Sequence, residues 1–402
     1  MNDKDLAQLI NNSNFSEVLT AIQTGEKLPE TLQDYHKSQI FDRLLSSEQY
    51  EILHHFVKDK TILTDIYEYD KFDQSIFQNI VRNLKTDDKG LAFFETFIAE
   101  FDNLNDEVDR QTLLGYFFEH LMPVEVIKVL IDAGCEVNFK TNSEENYIQQ
   151  VVKNNQRKFS LSDDELLQLK QNYIALLIDA GVDINGQDIV QKTPLISAIE
   201  FNKITLVPFL ISMGADPNLQ DNSGNSAIFY AVAHKQDLKT YLSITEQTSP
   251  RLDTLNKAQV TVLFEFTRMI NGTPNEILLL TKLIEDGADL YQPSTYYGKL
   301  QTPLDLLAEK PATLLEAVLS TGKVDVNQPD SSGYTLLHKV CAQNVNYEAE
   351  KAKEMYKKVK ILIENGAEIT LATDKDETAL MLASDDNLKI KTVELLMKAN
   401  KQ

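Results

Sequence analysis

The sequence predicts an all-α fold in which antiparallel helix pairs stack into an α-solenoid. The first observation behind this prediction is a series of glycines, each of which ends an apolar helical segment. They stand at positions 134, 181, 214, 287, 322 and 366, with gaps of 47, 33, 73, 35 and 44 residues. A helical repeat of about 33 residues explains two gaps directly, the gap of 73 as two repeats, and the gaps of 47 and 44 as repeats with insertions. The second observation is that apolar residues in each unit recur at spacings of three and four, as on one face of a helix.

The clearest repeat runs from residue 193 to residue 218 and reads TPLISAIEFNKITLVPFLISMGADPN. The hydroxyl of Thr193 predicts a helix N-cap, and Pro194 fits the first helical turn, where its missing N–H needs no partner. Ala198 is small, so the paired helix can approach the apolar face closely. Gly214 predicts the end of the second helix, because glycine readily adopts the left-handed backbone found there.

Openings and endings of the same kind recur along the chain. They include TPL at 302–304, DNSGNS at 221–226, DSSGYTLLH at 330–338, TAL at 378–380, IDAGCEVN at 131–138 and LIDAGVDIN at 177–185. These motifs resemble the ankyrin repeat, T-P-L-H-x-A followed by a second helix and G-A-D-x-N. The resemblance implies an ankyrin-repeat α-solenoid of stacked antiparallel helix pairs with short hairpin loops. It covers residues 109–402 in about eight units, with insertions near 153–170 and 343–358. For His338, at the histidine of the motif, the resemblance implies a hydrogen bond within the turn.

Residues 1–108 match this repeat poorly, although helix pairs are readable in them. SQIFDRLLSS precedes EQYEILHHFVKD, and FDQSIFQNIVRNL precedes KGLAFFETFIAEF. Phe41 and Phe77 are 36 residues apart, as are Phe77 and Leu113. We interpret the region 1–108 as degenerate helical repeats that extend and cap the stack. The alternative is a separate small helical domain.

The last unit carries lysines among its apolar positions. A terminal repeat needs a polar outer face, so this pattern predicts a C-terminal cap. The lysines concerned are Lys389, Lys391, Lys398 and Lys401.

The charge of the chain narrows the classes of partner. Its 402 residues include 39 Lys and Arg and 61 Asp and Glu, a formal charge of −22. Binding of nucleic acid or of an anionic membrane needs clustered basic residues, so we expect neither. A basic protein is the partner that this charge favours. No secretory signal and no apolar run of about 18 residues is visible, so we expect a cytoplasmic location.

The sequence contains no recognisable catalytic motif. Phosphate-binding glycine loops, the G-x-S-x-G nucleophile elbow and the H-E-x-x-H zinc motif are all missing. Cys135 and Cys341 stand at small-residue packing positions without a histidine nearby in sequence, which disfavours a nucleophilic role. We therefore expect no enzyme, no cofactor and no metal. The alternative is an enzyme whose site lies in residues 1–108, around His54 or Asp65.

One acidic segment interleaves carboxylates with aromatic residues. It comprises Asp65, Tyr67, Glu68, Asp70 and Asp73, and residues 1–110 as a whole hold 22 acidic and 11 basic side chains. Aromatic anchors surrounded by carboxylates predict a docking face for a basic protein. The alternative is that these are solvated helix ends whose aromatic rings face the core.

The ankyrin resemblance implies that a partner binds at the hairpin tips and on the exposed side of the first helices. On this sequence the implied positions are Ile189, Val190, Lys192, Glu200, Phe201, Asn222, Ser223, Asn225, His234, Lys235, Ser331, Ser332, Tyr334 and Asp374. Two hairpins depart from the family pattern: Gln191 stands where glycine is usual, and Tyr296 and Tyr297 precede Gly298. These tyrosines are candidate apolar anchors, unless they pack on the neighbouring unit.

Together these features predict a non-enzymatic protein–protein interaction module. The acidity and irregular repeats favour an immunity or inhibitor protein that occludes a basic partner such as a toxin. The alternative is an adaptor or secreted effector that recruits cellular proteins through the same surface.

Overall fold

The computed structural model describes residues 4–29 and 31–400. The chain forms two compact units, Met1–Ala215 and Asp216–Gln402. In each unit helices are joined in pairs by short turns, and hairpin loops connect successive pairs. The predicted all-α fold class is thereby confirmed.

The described residues of the first unit form six helix pairs, in which odd-numbered helices are the first and even-numbered helices the second of each pair. Its helices are α1 (Lys4–Asn11), α2 (Phe15–Gln23), α3 (Asp34–Ser46), α4 (Tyr50–Lys58), α5 (Ile76–Asn83), α6 (Asp88–Ile98), α7 (Leu113–Glu119), α8 (Val124–Asp132), α9 (Tyr147–Lys153), α10 (Asp163–Asp179), α11 (Pro194–Glu200) and α12 (Val207–Ser212). First helices pack on first helices, with α3 between α1 and α5 and α9 between α7 and α11. The second helix α6 packs on α8, so this unit runs through residues 108 and 109. The predicted boundary between regions at that point stays a prediction.

Up to residue 400, the second unit contains five more pairs and one β-hairpin. Its elements are α13 (Ala227–Phe229), continued by a π-helical turn (Tyr230–His234), α14 (Leu238–Thr245), α15 (Val262–Met269), α16 (Pro274–Glu285), β1 (Ser294–Tyr296), β2 (Lys299–Gln301), α17 (Pro303–Glu309), α18 (Ala312–Ser320), α19 (Leu336–Cys341), α20 (Ala349–Glu364), α21 (Ala379–Ala383) and α22 (Ile390–Ala399). The antiparallel strands pair Tyr296 with Lys299 across a two-residue turn. Both turn residues, Tyr297 and Gly298, have positive φ, as a type I′ turn requires.

The local predictions for the clearest repeat are confirmed. Thr193 caps α11 by accepting a hydrogen bond from the Ile196 N–H at 3.2 Å, and Pro194 occupies the first turn. Ala198 is fully buried on the apolar face. Gly214 follows α12 with φ of 95°. The two stretches predicted as insertions include the starts of α10 and α20, which have 17 and 16 residues.

Four lysines place their ammonium groups against main-chain carbonyls at the ends of first helices. Lys170 Nζ donates to Asn154 O at 2.6 Å, and Lys310 Nζ donates to the carbonyls of Arg268 and Ile270, both at 2.7 Å. The other two bonds run from Lys358 Nζ to Ala308 O and from Lys389 Nζ to Cys341 O. A positive charge at the C-terminal end of a helix is favourable because the helix dipole is negative there.

The buried position of Lys389 corrects one prediction. Lys391 and Lys398 are exposed, as a polar cap requires, but Lys389 is only 1% exposed. Its Nζ lies 2.7 Å from Asp385 Oδ1 and caps α19 instead of facing solvent. Lys401 lies outside the described residues.

The buried lysines predict that stability rises with pH above about 8. Burial lowers the pKa of Lys358 to about 8, from 10.5. Between these values the unfolded chain binds more protons than the folded one, so the free energy of unfolding increases with pH. Between pH 8 and 9.5 we expect Lys358→Met to remove about 1 kcal/mol of this increase, measured by urea unfolding. Lys353→Met, an exposed change on the same helix, should leave the pH dependence as in the wild type. An unchanged rise in Lys358→Met would contradict the burial of this charge.

Candidate functional site

The hairpins between helix pairs share one hydrogen-bonding arrangement. In the hairpin at residues 188–192 the buried Asp188 Oδ1 accepts from the N–H groups of Val190 and Lys192, at 3.0 and 2.8 Å. Asp221 and Asp330 accept from the main chain two and four residues later in the same way, and the hydroxyls of Thr141 and Thr373 do so in their hairpins. Each of these five hairpins is therefore held in shape by its own first residue, and the residues after it form the tip.

Main-chain bonds also join neighbouring hairpins within each unit. In the first unit Ile189 N–H donates to Ser143 O at 2.8 Å. In the second unit the corresponding bonds run from Lys257 to Ser223, from Thr295 to Gln259 and from Asp374 to Ser332. The tips consequently form a stacked edge within each unit.

An asparagine in front of a hairpin bridges two repeats, and sequence reasoning missed one of its positions. Asn185 Nδ2 donates to Gly214 O at 3.2 Å. Asn105 does the same to Gly134 O at 3.1 Å and accepts from the Glu136 N–H at 2.8 Å. The separation from asparagine to glycine is 29 residues in both cases. This shared spacing can be read from the sequence and would have identified Asn105. It shows that the repeat pattern extends to residues before 109.

The predicted tip and first-helix positions differ in exposure. Ile189 and Val190 are 62% and 44% exposed, and Tyr297 is 89% exposed. Asn225 is buried, and its Oδ1 accepts from Asn256 Nδ2 at 3.0 Å, so it joins two hairpins. The remaining exposed positions are Asn222, Ser223, His234, Lys235, Ser331, Ser332 and Asp374, and Tyr334 is half-buried with its hydroxyl on Glu377. Binding by these residues stays a prediction.

A cluster of charged and aromatic side chains surrounds the end of α11. Lys192 Nζ lies 2.6 Å from Glu200 Oε1, and Lys153 Nζ lies 2.7 Å from Glu145 Oε1. The ammonium of Lys153 also stands 5.2 Å above the ring of Phe201, which is 46% exposed. A cation over an exposed ring is attracted to it by about 0.5–1 kcal/mol.

In the two hairpins that depart from the family pattern, the structure shows the conformation and the contacts of the unusual residues. Gln191 adopts φ of 60°, the left-handed conformation that Gly224 and Gly333 take at the same hairpin position. Tyr296 is half-buried, with the Arg268 guanidinium 5.4 Å from its ring centroid, whereas Tyr297 projects into solvent.

The acidic segment forms one wall of a groove in the first unit, about 780 Å³ in volume, against α3 and α5. We call it the acidic groove. Its lining includes five carboxylates and three cations, namely Asp34, Asp42, Glu68, Asp70 and Asp73 with Lys37, Lys71 and Arg82. Of the predicted acidic residues, the structure thus brings Glu68, Asp70 and Asp73 together. Neither Glu68 nor Asp70 forms an ion pair with another residue that the structure describes.

The other residues of this segment have structural partners. Asp65 Oδ1 accepts from the Tyr67 N–H at 3.0 Å and from Asn103 Nδ2 at 2.8 Å. Tyr67 is 77% exposed, whereas Phe72 is buried, so the aromatic residues of the segment divide between surface and core. Asp73 accepts from the Tyr116 hydroxyl at 2.9 Å, and burial together with this bond raises the pKa of Tyr116.

The candidate chemical groups have packing or hydrogen-bonding roles. His338 Nδ1 accepts from Thr335 N–H at 3.2 Å and its Nε2 donates to Leu371 O at 3.0 Å, which confirms the turn bond that the resemblance implies. Burial raises the pKa of Cys135 and of Cys341 to about 12, which opposes thiolate formation. His54 Nδ1 is 2.5 Å from Glu100 Oε1.

Residues 4–29 and 31–400 contain neither a metal-binding cluster nor a helix suited to span a membrane. No cluster of three or more His, Cys, Asp or Glu side chains there is placed to hold a metal ion. No helix in the same residues combines the length and the apolar character that a membrane span needs.

Comparison with known families identifies the repeat. Residues 168–249 match the family model of ankyrin repeats, in three copies. This chain therefore contains ankyrin repeats. Ankyrin repeats are a known interaction scaffold, and they indicate a protein–protein interaction module.

Similar proteins share the repeats over part of their length. α-Latrocrustotoxin-Lt1a of Latrodectus tredecimguttatus is 31% identical over 147 residues, 36% of this chain and 10% of the toxin. The putative ankyrin repeat protein L92 of Acanthamoeba polyphaga mimivirus is 25% identical over 268 residues, 59% of this chain and 62% of that protein. The chain spans about a tenth of the length of this toxin and of two further curated relatives. Among solved structures, the ankyrin repeat domain of Bcl-3 has 20% identity and a TM-score of 0.48, covering 62% of this chain and 98% of that domain.

The stacking of the ankyrin hairpins predicts unequal effects for two glycine substitutions. Gly224 and Gly287 both have positive φ, at 78° and 100°. A Cβ on Gly224 would lie 2.8 Å from Lys257 N and 2.9 Å from Asn256 Cα, whereas nothing lies within 4 Å of one on Gly287. We expect Gly287→Ala to lower the free energy of unfolding by about 1 kcal/mol through backbone strain, and Gly224→Ala by about 2 kcal/mol more through collision. Urea unfolding measures both, and equal losses would contradict the close approach of these hairpins.

Proposed function

We propose that this ankyrin-repeat protein binds one basic partner protein and blocks its activity, as an immunity or inhibitor protein does. The observation that supports the proposal is the acidic groove, where a segment rich in carboxylates meets two first helices. Exposed Tyr35 and half-buried Tyr69 stand among its charged residues. Aromatic side chains supply contact area, and surrounding carboxylates select a cationic surface.

The charge around the groove supports fast association with a basic protein. The chain has a formal charge of −22, and half of that falls in residues 1–110, with 22 acidic and 11 basic side chains. A field of one sign accelerates the encounter with an oppositely charged protein, and salt screens it. Glu68 and Asp70 are the carboxylates best suited to this task, since no ion pair with another described residue engages them.

Neutralising these two carboxylates tests the proposal. The wild-type chain is used to retrieve its partner from the cells that produce it, and the association of the purified pair is then followed by surface plasmon resonance. We expect Glu68→Gln with Asp70→Asn to slow association by roughly 3–10-fold, and a rise in NaCl from about 50 to 300 mM to weaken binding of the wild type. Glu350→Gln with Glu364→Gln removes the same charge from exposed positions on α20 and is the matched control.

The activity of the retrieved protein separates the two functions. A single partner that loses its activity in the complex supports an inhibitor. Several partners that all stay active would support the adaptor or effector function instead. Affinity that does not respond to salt or to the two substitutions would contradict binding through the acidic groove.

A further inference from the structure

A second groove of the first unit lies between the first helices α7 and α9, with a volume of about 460 Å³. We call it the amide groove. Gly115, Phe118 and Val151 are its buried lining residues. A Cβ on Gly115 would lie 3.1 Å from Thr112 Oγ1 and 3.4 Å from the Tyr147 ring. A side chain on Gly115 would therefore crowd Thr112 and Tyr147 beside the groove, and glycine keeps this position open.

Half of the residues that line the groove carry carboxamides: Gln111, Gln150, Asn154, Asn155 and Gln156. The two charged lining residues are already engaged. Glu119 accepts from Gln111 Nε2 at 2.6 Å, and Lys153 pairs with Glu145 at 2.7 Å. A carboxamide offers one acceptor oxygen and one donor nitrogen, which are the two groups of a peptide bond. Among the described residues, Asn155 Oδ1 accepts from Lys203 Nζ at 2.6 Å, and Gln111 and Asn154 are also bonded. Gln150 and Gln156 are therefore the carboxamides that complement a polypeptide main chain, in contrast to the carboxylates of the acidic groove.

Gln150 is the carboxamide whose donor is unsatisfied. Its Nε2 is buried and has no hydrogen-bond partner among the residues that the structure describes. Its Oε1 lies 3.7 Å from the position of a Cβ on Gly115, at the floor of the groove. By comparison, Asn154 Nδ2 already donates to the carbonyls of Phe118 and Glu119, so that side chain shapes the rim. A buried donor without an acceptor is costly, and a half turn of the carboxamide exchanges Nε2 with Oε1, so that either group can face the groove.

We propose that the amide groove binds an extended segment of the partner protein through its main chain, and that Gln150 pairs with a peptide group of that segment. A helical segment does not fit this role, because its N–H and C=O groups are bonded to one another. An extended segment leaves them available to the groove. The inference rests on the proposed function, since it names how a second part of the same partner is held.

A neutral peptide tests the amide groove without the natural partner. The probe is an acetylated, amidated pentapeptide of Gly, Ala and Ser, added to the full chain labelled with ¹⁵N in glutamine side chains. We expect a saturable shift of the Gln150 amide resonance with Kd of about 1 mM, independent of NaCl. Gln150→Leu assigns the resonance and should weaken peptide binding about tenfold, as should N-methylation of the central peptide bonds. The exposed change Gln168→Leu on α10 is the matched control.

Three results would overturn the inference: no shift of the Gln150 resonance up to about 10 mM peptide, equal shifts for the N-methylated peptide, or unchanged binding by Gln150→Leu. Circular dichroism checks that the variant folds. If it does not, Gln150→Glu, which keeps the shape but turns the amide into a carboxylate, replaces it with the same expected loss. Because the peptide is uncharged, its binding is independent of the acidic groove. A partner that binds regardless of salt would therefore end the proposed function alone, and a peptide that fails to bind would end this inference alone.

Discussion

The packing of each helix pair on its neighbours is the interaction on which the rest of each unit depends. The first helices α7, α9 and α11 have only seven residues each, fewer than an isolated helix needs to be stable in water. Leu113, Ile148 and Leu195, one from each of these helices, are fully buried. A single pair would leave such residues in contact with solvent, so helix formation and stacking occur together. The hairpins gain fixed positions only because the helices beneath them are stacked.

Stacking short helices also creates many helix ends, each with carbonyl groups that lack a helical partner. In this chain lysines from the same or the next repeat satisfy several of them, as Lys170 does for α9 and Lys389 does for α19. The long side chain buries its methylene groups against the neighbouring helix while its ammonium reaches the carbonyl. A charge of this kind is part of the core packing, although lysine is among the residues least often buried.

The sequence was informative where a single segment determines the structure. The cap at Thr193, the proline in the next position and the glycine at 214 all follow from neighbouring residues, so their roles were predictable. The burial of Asn225 and Lys389 was harder to predict, because whether they face solvent depends on a repeat about 30 to 50 residues away. The acidic segment was recognised from the sequence, but its groove was not, since about half of the groove lining belongs to α3 and α5.

One position within the repeat shows how the scaffold acquires separate functions. Three residues after the N-cap threonine, His338 of α19 bonds to the turn, Ile196 of α11 fills the core, and Gly115 of α7 leaves a groove. The helix is retained in all three cases because stacking and capping, not this side chain, hold it in place. The position is therefore open to change, and a glycine there leaves room beside a neighbouring side chain, here the carboxamide of Gln150. Binding chemistry in this protein thus arises where a repeat departs from its own pattern while its neighbours preserve the fold.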